Sequence, residues 1–431
     1  MNRRVVITGM GWVTPLGCEL ERVWQRLLNG ESGIAPTTIF DAGSYPTQFS
    51  AEVKDFDFQA TLGEHSEDHG TASRNARFAL GAAEMAWKHA GLDRLESGAT
   101  PEMTGVYLGG GEGPIDFENF VAAAVAGWDP QARQLDAVRW AEVAYERLDA
   151  VREFEQDPNC AAHHIACRFH AEGPNLNTLT ACAASTQAIG EATMIIRRGD
   201  ADVMITGGAH SMIHPLGVTG FNRLTALSTR NDSCATASRP FDATRDGFVL
   251  GEGAGILIIE SLENAQRRGA RILAEIIGYG STADAFRVTD MHETGRGPIA
   301  AMRAALADAK VAPQDIHYIS AHGTGTEEND KIESLAIGTV FGDLAKKVPI
   351  SSVKSMLGHL IAGAGAVELI TCVLAIRDGI IPPTANYSTP DPNCPLDYVP
   401  NKPRKATVRT CLSNSFGFGG QNDTLIVRAF E

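Results

Sequence analysis

A chain of 431 residues, 44% of them hydrophobic, can bury two modest cores or one large repeated core without cross-links. Its formal charge of −15 argues against a nucleic-acid-binding surface, and no stretch supplies the roughly 18 uninterrupted apolar residues of a membrane helix. Eight scattered cysteines and an opening without a signal-peptide pattern predict reduced thiols in a cytoplasmic protein.

The opening "RRVVITGMGWVTPLG" reads as a β-branched strand entering a Gly-rich turn, and "LERVWQRLLNG" then has helical spacing with Gly30 as its stop. "MTGVYLGGG" predicts a second strand whose glycine loop runs on to Glu112. From Trp128 to Asp157, Leu135, Val138, Val143, Leu148, Val151 and Phe154 recur at near-helical intervals among charges, which predicts one added amphipathic helix. "CAAHHIACRFH" aligns Cys160, His163, His164 and Cys167 on one helical face, but the spacing fits no standard zinc module and is read as packing.

"NLNTLTACAASTQAIGEATMIIRRGDADVMITGGAH" then gives a strand, a small-residue helix and a second apolar strand. "VPISSVKSMLGHLIAGAGAVELITCVLAIRDGIIPPT" repeats the pattern, and "DIHYISAHGTGT" repeats "MTGVYLGGG". The spacing therefore predicts an internally duplicated, layered α/β fold with an N-terminal half over 1–258 and a C-terminal half over 259–431. In that reading Cys182 and His359 hold matching places, Glu112 and His322 hold related ones, and the reactive loops face one cleft.

The chemistry concentrates in three residues. Cys182, in "TLTACAAST", stands where a strand meets a helix, and the helix N-terminus there would favour a thiolate. His322 lies in the Gly/Thr turn of "AHGTGTEENDKIE", and His359 follows Lys354 by five residues in "SSVKSMLGHLIAGAG". A thiol that forms a thioester needs oxyanion donors, and decarboxylating a malonyl thioester needs donors for the enolate, which two neutral imidazoles can supply.

The ordered motifs "TACAAST", "TALSTRND", "SRPFDATRDGFVLGEGAG", "HGTGTEENDKIE", "SVKSMLGH" and "SNSFGFGG" resemble the β-ketoacyl-acyl-carrier-protein synthases of the synthase II type. The likeness implies a thiolase-like, five-layer α-β-α-β-α fold and a homodimer. It implies a decarboxylating condensation that extends an acyl chain by two carbons, in fatty-acid or specialised lipid synthesis. Cys182 would carry the acyl group, and His322 and His359 would bind the malonyl thioester carbonyl. The backbone N–H groups of Cys182 and Phe418 would form the oxyanion hole, Phe418 would gate the acyl pocket, and Phe248 would sit beside decarboxylation. Lys354 and Glu333 would pair, with Asp330 nearby, to orient the histidine loops. Phe221, Thr324, Thr326, Phe416 and Gly419 are the matching substrate-binding positions. The partner would be an acyl carrier protein, met through Arg74, Arg77 and Arg223, with its phosphopantetheine as substrate arm. No metal and no tightly bound cofactor is implied.

The chain departs from that pattern in places. Glu112 stands where an apolar residue closes the acyl pocket, so it either turns toward a polar partner or marks an acyl substrate of unusual length or polarity. The Trp128–Asp157 segment replaces a shorter one and reads as a lid, a docking helix or a surface insertion. "AGAG" and Gln421 are smaller departures of packing. Three other readings are a thiolase-type acyltransferase, a non-catalytic partner subunit and a lipid-binding module. The absence of a cysteine from "SNSFGFGG" opposes the first, and the intact Cys182, His322 and His359 oppose the second.

Overall fold

The structure, a computed structural model, describes residues 3–93, 100–111 and 116–431, so Glu112 lies outside the described residues. Ten strands form the main sheet: β1 (Val5–Val13), β2 (Thr104–Gly109), β3 (Asn175–Thr178), β4 (Val203–His210), β5 (Gly253–Ser261), β6 (Ala274–Ala283), β7 (Tyr318–Ser320), β8 (Ile350–Ser351), β9 (Thr410–Gly417) and β10 (Gln421–Arg428). The principal helices are α1 (Leu20–Leu28), α2 (Arg74–Ala90), α3 (Phe117–Gly127), α4 (Ala137–Arg147), α5 (Ala150–Phe154) and α6 (Cys160–Phe169). They continue with α7 (Ala184–Arg198), α8 (Pro215–Arg223), α9 (Arg296–Ala309), α10 (Glu327–Phe341), α11 (Lys354–Leu357) and α12 (Ala364–Asp378).

The strand order is β8-β7-β9-β10-β6-β1-β5-β4-β2-β3. Read from either edge inward it is one topology written twice, and every pairing recurs. β2 runs parallel to β3 and β4, as β7 does to β8 and β9, while β5 is antiparallel to β4 and β1, as β10 is to β9 and β6. The halves join where β1 meets β6 over the pairs Val5–Ile276, Val6–Glu275 and Ile7–Ala274.

Helix contacts define the layers. α2 rests on β1, β4 and β5, and α9 rests on β6 and β10, while α7 and α12 touch strands of both halves. The sequence of layers is therefore helix, sheet, central helix pair, sheet, helix, as the resemblance implies. Gly9 and Gly11 allow the outer contact, since a Cβ on either would lie 2.2 Å from a carbonyl oxygen of α2. α12 is apolar on every side and buried from Ala364 to Ala375, as a helix enclosed by two sheets must be.

The repeat has a constant offset of 180 residues around the central helices. The 3₁₀ turn Ala181–Ala183 and α7 correspond to the turn Ile361–Gly363 and α12, and each helix ends in a left-handed glycine, Gly199 or Gly379. Ala181 and Ile361 both take positive φ, 48° and 44°. The counterpart of Cys182 is therefore Ala362, and the expected match of Cys182 with His359 is three residues out of register.

The segment expected as one amphipathic helix is instead a two-residue hairpin, Trp128–Asp129 with Gln134–Leu135, followed by α4 and α5. Aspartates punctuate it. Asp129, Asp136 and Asp149 each accept two backbone N–H groups just ahead, which starts a new element each time.

Candidate active site

Cys182 is the middle residue of its 3₁₀ turn, held at the mouth of α7 by the left-handed Ala181. The side chain is 6% exposed, and burial pushes the thiol up to about 11 against the pull of the Lys354 charge and of the Phe418 and Cys182 N–H groups. Desolvation thus outweighs the helix N-terminus, contrary to the thiolate expected from the sequence. The resting sulfur is a thiol.

His322 follows β7, and His359 lies in the loop between α11 and α12. Cys182 Sγ and one nitrogen of each imidazole lie within 4.8 Å of one another, and the two rings meet edge to face at 5.4 Å. Burial and the nearby Lys354 charge drive both imidazoles well below the ordinary histidine range, so both are neutral.

Their hydrogen bonds fix the tautomers. Ile361 N–H donates to His359 Nδ1 at 3.2 Å, which leaves the proton on Nε2, a buried atom without a hydrogen-bond partner among the described residues. Lys354 Nζ lies 3.4 Å from His322 Nδ1, and an ammonium can only donate, so His322 also carries its proton on Nε2. Two imidazoles, each able to donate through Nε2, are therefore gathered around one sulfur.

Lys354 does not pair with Glu333, as expected from the sequence. It forms a buried ion pair with Glu368 of α12 and donates to the His322 carbonyl at 2.6 Å. Glu333 binds backbone instead, accepting from the N–H groups of His322 at 2.9 Å and Gly323 at 2.8 Å, and burial pushes its carboxyl up to about 7. Asp330 accepts from the N–H groups of Gly325 and Phe241 and lies 3.6 Å from Arg245, with burial raising its carboxyl. Glu333 and Asp330 thus hold the histidine loop by its main chain. Glu368 went unrecognised, although a lone carboxylate inside an apolar helix was a readable signal.

A cavity of about 360 Å³ opens on the three reactive residues. Phe248, Phe416 and Phe418 line it with Thr324 and Thr326. Phe248 meets His359 at 5.3 Å between ring centroids, and Phe416 meets His322 at 5.8 Å. Phe221 stands one ring farther out against Phe248, and Gly419 is an exposed turn residue with φ of 88°. The cavity wall also includes Thr289, Asp290 and Met291, which sequence reasoning passed over.

The N-terminal domain of the β-ketoacyl synthases matches residues 2–265, and their C-terminal domain matches residues 273–388. The chain belongs to the β-ketoacyl synthase family. It is 43% identical over 433 residues to 3-oxoacyl-[acyl-carrier-protein] synthase 2 of Coxiella burnetii, covering all of both chains. Among solved structures it is similar to the ishigamide ketosynthase/chain length factor, with a TM-score of 0.87 and 35% identity over all of both chains. It is also similar, with a TM-score of 0.87 and 34% identity over all of both chains, to a ketosynthase bound to the hexaketide in complex with its type II PKS acyl-carrier protein.

Two of the three arginines expected to contact a carrier are occupied here. Arg74 forms an ion pair with the buried Glu252, with a 2.8 Å hydrogen bond from Nε. Arg77 donates to the carbonyls of Ala72 and Gly70 and stacks on Phe58. Arg223 is exposed at the end of α8, next to the cavity-lining Leu224 and Thr225. The helical face with Cys160, His163, His164 and Cys167 does not converge. His164 turns inward to His69 and Glu155, while Cys167 and His163 meet at the surface.

Proposed function

We propose that this synthase condenses a Cys182-bound acyl group with malonyl-acyl-carrier-protein, yielding a 3-oxoacyl-acyl-carrier-protein two carbons longer. The observation that carries the proposal is the pair of neutral imidazoles, each with a ring nitrogen within 4.8 Å of a buried thiol in one cavity and each with its proton on Nε2. The sulfur attacks the acyl thioester, and its proton ends on the departing carrier sulfur. The malonyl thioester carbonyl then receives the His322 and His359 N–H groups, which stabilise the enolate left by loss of carbon dioxide. That carbon attacks the acyl-Cys182 carbonyl, whose oxyanion is held by the Cys182 and Phe418 N–H groups, and the Cys182 sulfur leaves as a thiolate that takes up one proton from solvent to restore the thiol.

Phosphopantetheine enters as part of the carrier substrate, past Thr324 and Thr326, and Arg223 is the cation left to meet the carrier. The N-terminal half supplies the nucleophile and the C-terminal half both histidines. The proposed division at 258 lies within the last residues of β5, which ends at Ser261. Homodimerisation is supported by the unpaired outer edge of β3 and by Leu176 and Leu179, 44% and 55% exposed beside it. Among the described residues no helix is long and apolar enough to cross a membrane, which fits a cytoplasmic enzyme.

Incubation with an acyl carrier should add one acyl mass to the intact protein, and the C182A variant should remain unmodified. Subsequent malonyl carrier should release a product two carbons longer. An unmodified wild-type protein beside unconsumed acyl carrier would overturn the proposal. It would favour a non-catalytic subunit.

A further inference from the structure

α10 begins at Glu327 directly behind Thr326, whose side chain makes no capping hydrogen bond. Such a helix start, with free N–H groups and the positive end of its dipole, is a natural seat for a phosphate. Here its first turn carries Glu327, Glu328 and Asp330. Asp330 turns inward to the N–H groups of Phe241 and Gly325, so Glu327 and Glu328 remain exposed in the cavity wall.

Most cations around this opening are committed elsewhere, while Arg223 stands exposed beside the cavity-lining Leu224 and Thr225. Arg245 is buried against Asp391 and Asp330, Arg230 lies 3.5 Å from Asp246, and Arg287 lies 3.1 Å from Asp290. Among the described residues no ion pair reaches Glu327 or Glu328, although Lys331 lies one turn along the same helix. The opening that must admit a thioester therefore carries two carboxylates that no ion pair holds, where an anion would otherwise bind.

We propose that Glu327 and Glu328 select the thioester donor, admitting a carrier-borne pantetheine arm and rejecting coenzyme A thioesters. This rests on the condensing reading above. A pantetheine arm on a carrier bears one phosphodiester charge, whereas coenzyme A bears roughly three more on its pyrophosphate and 3′-phosphate. With the opposed charges about one Debye length apart, about 8 Å at physiological ionic strength, the surplus repulsion corresponds to about a five- to tenfold loss in kcat/KM.

The test compares wild type with the E327Q/E328Q double variant, using malonyl-CoA and malonyl carrier as donors for the same acyl-enzyme, at low and at physiological salt. The variant should gain about five- to tenfold with malonyl-CoA and only about twofold with the carrier donor. Added salt should speed the wild-type reaction with malonyl-CoA more than that of the variant. An unchanged ratio between donors, or equal changes for both, overturns the proposal while leaving the condensing reading intact. Failure of wild type to elongate with the carrier donor overturns the condensing reading and this proposal together.

Discussion

Replacing Lys354 by Met tests how the ion pair beneath His322 divides its work between stability and catalysis. The ammonium is buried, paired with Glu368, bonded to the His322 carbonyl and directed at His322 Nδ1. Methionine matches its length but supplies none of these bonds, and it strands the Glu368 carboxylate. Breaking a buried pair in this way costs about 3–5 kcal/mol. With an unfolding entropy of about 2.1 cal/mol/K per residue, that lowers Tm by roughly 3–6 °C for a chain of this length.

The cost should depend on pH. Burial already pushes Glu368 up to about 7, and loss of Lys354 raises it further. A carboxyl that binds its proton more tightly folded than unfolded contributes stability below its unfolded pKa and loses that contribution as pH rises through its folded pKa. The K354M deficit should therefore widen between pH 6 and pH 8.5 in thermal melts. Condensation should fall on the order of 100-fold, because His322 loses the donor that fixes its tautomer and position. The double variant K354M/E368L removes both charges and should recover most of the Tm but not the rate. Full recovery of turnover with stability would refute the positioning argument, and an unchanged Tm in K354M would refute the energetic one.

Because burial holds the Cys182 thiol up to about 11, iodoacetamide alkylation should accelerate about tenfold per pH unit from 7 to 9 without a plateau. Saturation near pH 7 would reveal a resting thiolate. A Cβ at Gly417 would lie 2.7 Å from the Thr180 carbonyl oxygen and 3.3 Å from the Cys182 nitrogen. G417A should therefore displace the proposed oxyanion donors and cost about 10²–10³-fold in condensation rate. Wild-type turnover in a folded G417A protein would dismiss the role assigned to those two N–H groups.

The reactive residues were legible because each lies in a short motif at the end of a strand, where side-chain type and local backbone together imply the chemistry. Long-range pairing was less legible. Lys354 stands close in space to carboxylates on two different helices, and nothing in its local sequence says that α12 presents Glu368 while α10 turns Glu333 to the His322 and Gly323 amides. The register of the repeat failed for a related reason. Two similar loops invite alignment of their reactive side chains, whereas the backbone aligns positive-φ residues and helix starts. The insertion failed on capping, because hydrophobic spacing continues across Asp136 and Asp149 while their side chains each begin a new helix. The charge balance at the opening was hinted at by scarce lysine, but which arginines were free depended on Glu252 and on two backbone carbonyls.

The left-handed bend before Cys182 has a twin before Ala362, whose side chain carries no reactive group. The φ of Ile361 lies within 4° of that of Ala181, and the residue that follows it, Ala362, has a fully buried methyl group where Cys182 presents sulfur. Around that silent copy, a Cβ on Gly208 would lie 2.7 Å from the Ala362 carbonyl oxygen and one on Gly363 would lie 3.1 Å from that of Gly253. The kink is thus a demand of masonry, set by two helices entering a narrow gap between sheets. The proposed nucleophile occupies one of two matching niches that the architecture would have carved with or without it.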